Sequence, residues 1–74
     1  MPLNPLPYRE VKRRLEAAGF VEVSQSGSHV KFRKVTDLGT ITTIVPKKKK
    51  NVPIGTLSSI LRQAGITAEE WGNL

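Results

Sequence analysis

The chain has 74 residues, twelve Lys and Arg against six Asp and Glu for a net charge of +6, and no cysteine. A domain of that size buries only about 60% of the surface its unfolded chain exposes, so residues 1–74 are read as a single domain with no deep substrate cavity. The missing thiols exclude disulfides, thiol catalysis and Cys-based zinc sites. No apolar run approaches the roughly 20 residues of a membrane helix, and the start lacks the basic-then-apolar pattern of a signal peptide; a cytoplasmic protein without membrane contact is expected. The positive balance points to an anionic partner, either a phosphate backbone or an acidic protein. The only aromatics are Tyr8, Phe20, Phe32 and Trp71, and the core needs most of them. Contacts to backbone or shape are therefore expected over a base-stacking platform.

Residues 1–7, with Pro2, Pro5 and Pro7, form an extended lead-in whose last proline suits the first turn of a helix. Tyr8, Val11, Leu15 and Ala18 then make one helical stripe, with Arg9, Lys12, Arg13 and Glu16 outward and Gly19 as a left-handed end. Phe20 to Ser24 alternates as a first strand, with Val21 and Val23 on one face and Phe20 and Glu22 on the other. A polar turn over Gln25 to Ser28 leads into a second strand, His29 to Lys34, and turn-forming residues over Val35 to Gly39 lead into a third, Thr40 to Val45. Pro46 stops that strand and Lys47 to Lys50 follow as a solvated loop. Thr56 is a credible N-cap for a helix whose buried stripe is Leu57, Ile60, Leu61 and Ala64, closed by Gly65. Thr67 and Glu70 fit a capping box opening a last helical turn anchored by Trp71. The order predicts an α+β fold in two layers: a three-stranded antiparallel sheet with helices on one face, α-β-β-β-α, plus a short C-terminal helical turn.

The chemistry concentrates in the second strand. Successive side chains of a strand face opposite ways, so His29, Lys31 and Arg33 share one face and Val30 and Phe32 the other. Imidazole, with an ordinary pKa of about 6.5, can take or give a proton at neutral pH, and two flanking cations favour an anionic substrate. By itself such a His is equally a surface residue without duty. The lysine run is likewise a solubility feature unless the fold brings it near His29. Ser28 and Gly27 read first as turn residues that can support the histidine. The carboxylates are scattered; only Glu69 and Glu70 adjoin, and they point in different directions at a helix start. No metal or cofactor site is expected.

Gly27-Ser28-His29 at the head of the middle strand, a third strand ending in Val45-Pro46, and the helix Gly55-Thr56-Leu57-Ser58-Ser59-Ile60-Leu61-Arg62-Gln63-Ala64-Gly65-Ile66 followed by Glu69-Glu70-Trp71 together resemble the HicA toxin family of small bacterial and archaeal mRNA interferases. The resemblance runs from about Tyr8 to the C-terminus. It implies a fold like the double-stranded-RNA-binding domain, metal-independent ribonuclease activity without a cofactor, and neutralisation by a HicB antitoxin. His29 matches the family's catalytic histidine. Many relatives carry a second histidine shortly after the proline that ends the third strand, where this chain has Lys47 to Lys50.

On that reading His29 is the base that removes a 2′-hydroxyl proton. Lys31, Arg33 and Lys47, Lys48, Lys49 and Lys50, with Arg13 from the first helix, are the candidate contacts to RNA phosphate. The free protein is expected to be a monomer or weak dimer. Two other readings stay open: a non-catalytic RNA-binding module of the same fold, tracking phosphates with Arg9, Lys12, Arg13 and the lysine loop, and an interaction protein whose cationic surface receives an acidic partner.

Overall fold

Residues 3–74 are described by the computed structural model; of the extended lead-in, Met1 and Pro2 lie outside the described residues. The chain runs α1 (Tyr8–Ala17), β1 (Val21–Ser26), β2 (His29–Thr36), β3 (Gly39–Pro46), α2 (Ile54–Ala64) and α3 (Ala68–Gly72). The strands form an antiparallel meander in the order β1-β2-β3. Val30 and Phe32 of β2 and Val45 of β3 bury the inner face against Val11 and Leu15 of α1 and Leu57, Ile60, Leu61 and Ala64 of α2. The sheet is thus covered on one side only, in a slab with extents of 34 × 31 × 17 Å. This is the predicted α+β architecture.

The helix ends follow from local chemistry. Past α1, Gly19 sits at φ 99, a backbone angle that costs a residue with a Cβ. Gly65 closes α2 at φ 71 and ψ 28, and its N–H returns to the Arg62 carbonyl. Thr67 and Glu70 form the expected capping box: the Thr67 hydroxyl accepts from the Glu70 amide at 3.1 Å, and the Glu70 carboxylate accepts from the Thr67 amide at 2.9 Å. Trp71 follows in the core at 2% exposure, with the Arg14 guanidinium 5.4 Å from its ring centre.

Several details depart from the predicted boundaries: β2 runs on to Thr36 and β3 spans Gly39–Pro46, with Pro46 still paired to His29, so the second hairpin turn contracts to Asp37-Leu38. Phe20 lies in the core just before β1, which runs on to Ser26, so the first hairpin turn contracts to Gly27-Ser28. Val23 forms a bulge between the Glu22–Phe32 and Ser24–Lys31 pairs and breaks the alternation read for this strand. Glu22 consequently faces α1, where its carboxylate accepts from Lys12 Nζ at 3.0 Å, while Val21, paired with Arg33, stays 63% exposed. Pro7 and Pro53 occupy the N-cap positions of α1 and α2, each with extended backbone. Their carbonyls close the first turns, so Thr56 lies inside α2 and is not its N-cap.

The lead-in is a packed element. Leu3 and Leu6 rest on the core, and Leu6 pairs with Val52 in an isolated antiparallel bridge. The Val52 amide donates to the Leu6 carbonyl at 2.6 Å and the Leu6 amide to the Val52 carbonyl at 3.4 Å.

Candidate functional site

The site begins at the β1–β2 turn. Gly27 occupies its first central position at φ 59, where glycine enters the left-handed region without steric cost. The Gln25 side-chain amide donates to the Gly27 carbonyl at 2.9 Å and braces the turn. His29 follows as the first residue of β2, between Ser26 of β1 and Pro46 of β3. On the same exposed face, Lys31 lies between Ser24 and Ile44, and Arg33 between Val21 and Thr42. Directly paired side chains stand about 4.5–5.5 Å apart at Cβ, so this face is a mosaic of imidazole, two cations, hydroxyls and the exposed aliphatics Val21 and Ile44.

No carboxylate balances it. Glu22, the only acid within a strand, is turned to the helix side by the bulge. Among the described residues neither Lys31 nor Arg33 has an ion-pair partner.

The lysine loop joins this face through the backbone. The Lys47 amide donates to the Ser28 carbonyl, one step beyond the His29–Pro46 pair. The loop therefore starts beside the histidine. Lys47 turns its ammonium 5.5 Å from the centre of the Tyr8 ring, and Lys48, Lys49 and Lys50 are exposed. The loop leads into α2, whose first turn has neither a side-chain cap nor an acid. The positive end of the helix dipole thus adds to the lysines.

Gly27, Ser28 and His29 thus lie at one end of the sheet, Lys31 and Arg33 continue along the same exposed face as His29, and the lysine loop starts beside His29 with the Lys47 ammonium turned to Tyr8 of α1 behind the sheet. Arg13 is not among them. It projects from α1, in the layer behind the sheet, where its guanidinium binds both Glu10 carboxylate oxygens at 2.9 and 2.6 Å and the Leu74 carbonyl at 3.2 Å. Arg14 completes this knot, reaching Glu10 at 2.8 Å and the Trp71 carbonyl at 3.1 Å. Hydrogen bonds from the two guanidinium groups, Arg13 first, hold the Glu10 carboxyl down to about 2. Tyr8, which the sequence placed only on the buried stripe of α1, has its phenol pushed above the ordinary value by burial, then by the Glu22 carboxylate. Its cationic neighbour Lys47 lies far away in sequence, so no local signal announced the contact. Among the described residues no three His, Asp or Glu side chains come together as metal donors.

The arrangement suits binding of a polyanion along an open strand face, with a proton-transfer group at one end. A sequence model of the family described as the HicA toxin of bacterial toxin–antitoxin systems matches residues 8–66. No curated protein gives a significant match. The matched segment covers all three strands, α1, α2 and the lysine loop, and the chain belongs to the HicA toxin family.

Proposed function

We propose that this toxin is a metal-independent endoribonuclease that cleaves mRNA in the cytoplasm and is held in check by a HicB-type antitoxin. The observation that carries the reading is the placement of an exposed His29 on the same strand face as Lys31 and Arg33, with the lysine loop tied to the carbonyl of Ser28. A phosphodiester laid along that face meets positive charge on several sides and an imidazole at one end.

The step that fits is attack of the 2′-hydroxyl oxygen on the adjacent phosphorus. His29 takes the hydroxyl proton, the new O–P bond closes a 2′,3′-cyclic phosphate, and the bond to the 5′-oxygen breaks. Water reaches the open face and protonates the departing 5′-oxygen. General base catalysis of this kind contributes typically about 100- to 10,000-fold. Lys31, Arg33 and the loop lysines offset the charge growing on the phosphate oxygens, often the larger share of catalysis. Gly27 and Ser28 serve by fixing the turn that presents His29. The exposed Val21 and Ile44 beside these cations also suit a protein partner carrying both acids and apolar side chains, and such a partner would inhibit by covering His29.

The test is cleavage of a long single-stranded RNA in excess EDTA by the wild type and by His29→Ala. Cutting should persist in EDTA and fall at least about 100-fold in the variant, with RNA affinity and melting temperature kept, because the His29 side chain is exposed. Equal cutting by both proteins removes His29 from the chemistry. RNA that is bound but left intact by the wild type returns the non-catalytic module.

A further inference from the structure

The four adjacent ammonium groups of Lys47–Lys50 repel one another, and an unsupported loop of this kind spreads into solvent. Here both ends are fastened. The leading end is held by the Lys47 amide on the Ser28 carbonyl and by the Lys47 ammonium over the Tyr8 ring. The trailing end is held by the two-way bridge between Val52 and Leu6. Val52 is 1% exposed, so its amide and carbonyl need partners inside the protein; without Leu6 they must move outward to find water.

Leu3 and Leu6 secure the lead-in to the core, and Pro5 and Pro7 stiffen it on either side of the bridge. These residues lie outside the segment that matches the family, which begins at residue 8.

We propose that residues Leu3–Pro7 are a strap that positions the lysine loop for RNA phosphate, with Leu6 as its key positioning residue. The inference rests on RNA being the ligand, as in the function proposed above. A loop held in shape does not have to be ordered at the moment of binding. A loop released from Val52 keeps its charge but loses affinity to the ordering of three long side chains, Lys48, Lys49 and Lys50. The strap thus acts through the loop and not through any contact of its own with RNA.

The experiment is a coupling cycle read by fluorescence anisotropy of a labelled single-stranded RNA, with His29→Ala present throughout so that the RNA stays whole. The proteins are the full chain, the chain without residues 1–6, the full chain with Lys48→Ala, Lys49→Ala and Lys50→Ala, and the combination. Removing the strap should weaken binding about tenfold with the lysines present, and less than about twofold once they are alanine. An equal loss in both backgrounds, or no loss in either, overturns the proposal.

If the shortened chain does not fold, Leu6→Pro takes its place: it deletes both the amide that donates to the Val52 carbonyl and the leucine side chain that rests on the core, the two attachments that hold residue 6 against Val52. Under the proposal it gives the same background-dependent loss and faster hydrogen exchange at the Val52 amide. A full chain that binds no RNA removes the proposed function and the strap together. Cleavage that survives His29→Ala removes only the assigned base, and the same cycle is then read with a 2′-O-methyl RNA, which attack by a 2′-hydroxyl cannot cut.

Discussion

If RNA is the ligand, as proposed, the salt dependence of its binding should be set by the cations that, among the described residues, have no ion-pair partner near His29. Lys31 and Arg33 on the sheet and Lys48, Lys49 and Lys50 in the loop are exposed and, among the described residues, have no ion-pair partner, whereas Lys47 is engaged with Tyr8. At roughly 0.7 counterions released per phosphate of a single strand, these five cations give a slope of log K against log salt of about −3.5. A fourfold rise in salt, from about 50 to about 200 mM, should then weaken binding by about 100-fold. Replacing Lys31 and Arg33 by alanine together should flatten the slope by about 1.4. Arg13→Ala should leave it nearly unchanged, because that guanidinium is already committed to Glu10 and the Leu74 carbonyl. The assay is a titration of labelled RNA by His29→Ala protein at five or six salt concentrations. A slope shallower than about −1.5 for the protein carrying His29→Ala alone, or an Arg13→Ala effect as large as that of the Lys31 and Arg33 replacements, would refute the reasoning and move the interface to the helical layer.

Trp71→Ala, at a side chain 2% exposed, should cost about 3–5 kcal/mol in urea unfolding followed by circular dichroism. For 74 residues the total stability is expected to be about 4–11 kcal/mol, so this one change brings the domain close to unfolding; a loss below about 1.5 kcal/mol would mean that α3 peels away locally. Gly27→Ala meets no atom within 4 Å, so its cost should be conformational alone, about 1–2 kcal/mol, while Gly27→Asn should recover most of that in the same measurement. Acid should reveal the Glu10 knot. Its carboxyl, held down to about 2 from an ordinary 4.5, adds stability that is fully present above pH 4.5 and lost as pH falls towards 2. The melting temperature of the wild type should therefore drop more steeply across that window than that of Glu10→Gln, and parallel curves would dismiss the guanidinium contacts as a source of stability.

The elements were legible because their signals are local. Alternation in β2 placed His29, Lys31 and Arg33 on one face before any coordinates, and those three side chains are exposed while Val30 and Phe32 are buried. The same holds for the capping box at Thr67 and the glycine that ends α2. What escaped is either a matter of count or a matter of distance. A bulge adds one residue to a strand without changing its composition, so Val23 carried no mark. Arg13 had the spacing of a solvated helix face, yet it binds the Leu74 carbonyl, and its neighbour Arg14 binds that of Trp71, both at the opposite end of the chain. The bridge from Leu6 to Val52 joins a proline-rich lead-in to the residue after a charge run, two segments that each read as loop. The role proposed for His29 rests on the resemblance of Gly27-Ser28-His29 and the Gly55–Gly65 helix to one family, not on any local pattern. Alternation supplies a face, not a reaction.

The sheet has helices behind it and, among the described residues, no element in front. On the proposed nuclease reading, no element among the described residues covers His29 to turn it off; once folded, such a protein is armed. Restraint has to come from another molecule lying on the bare strands, and it lasts only while that molecule is present in sufficient number. On the proposed function the switch is then a matter of census: activity should stay near zero until toxin copies outnumber their covers, and every copy beyond that point should be fully active.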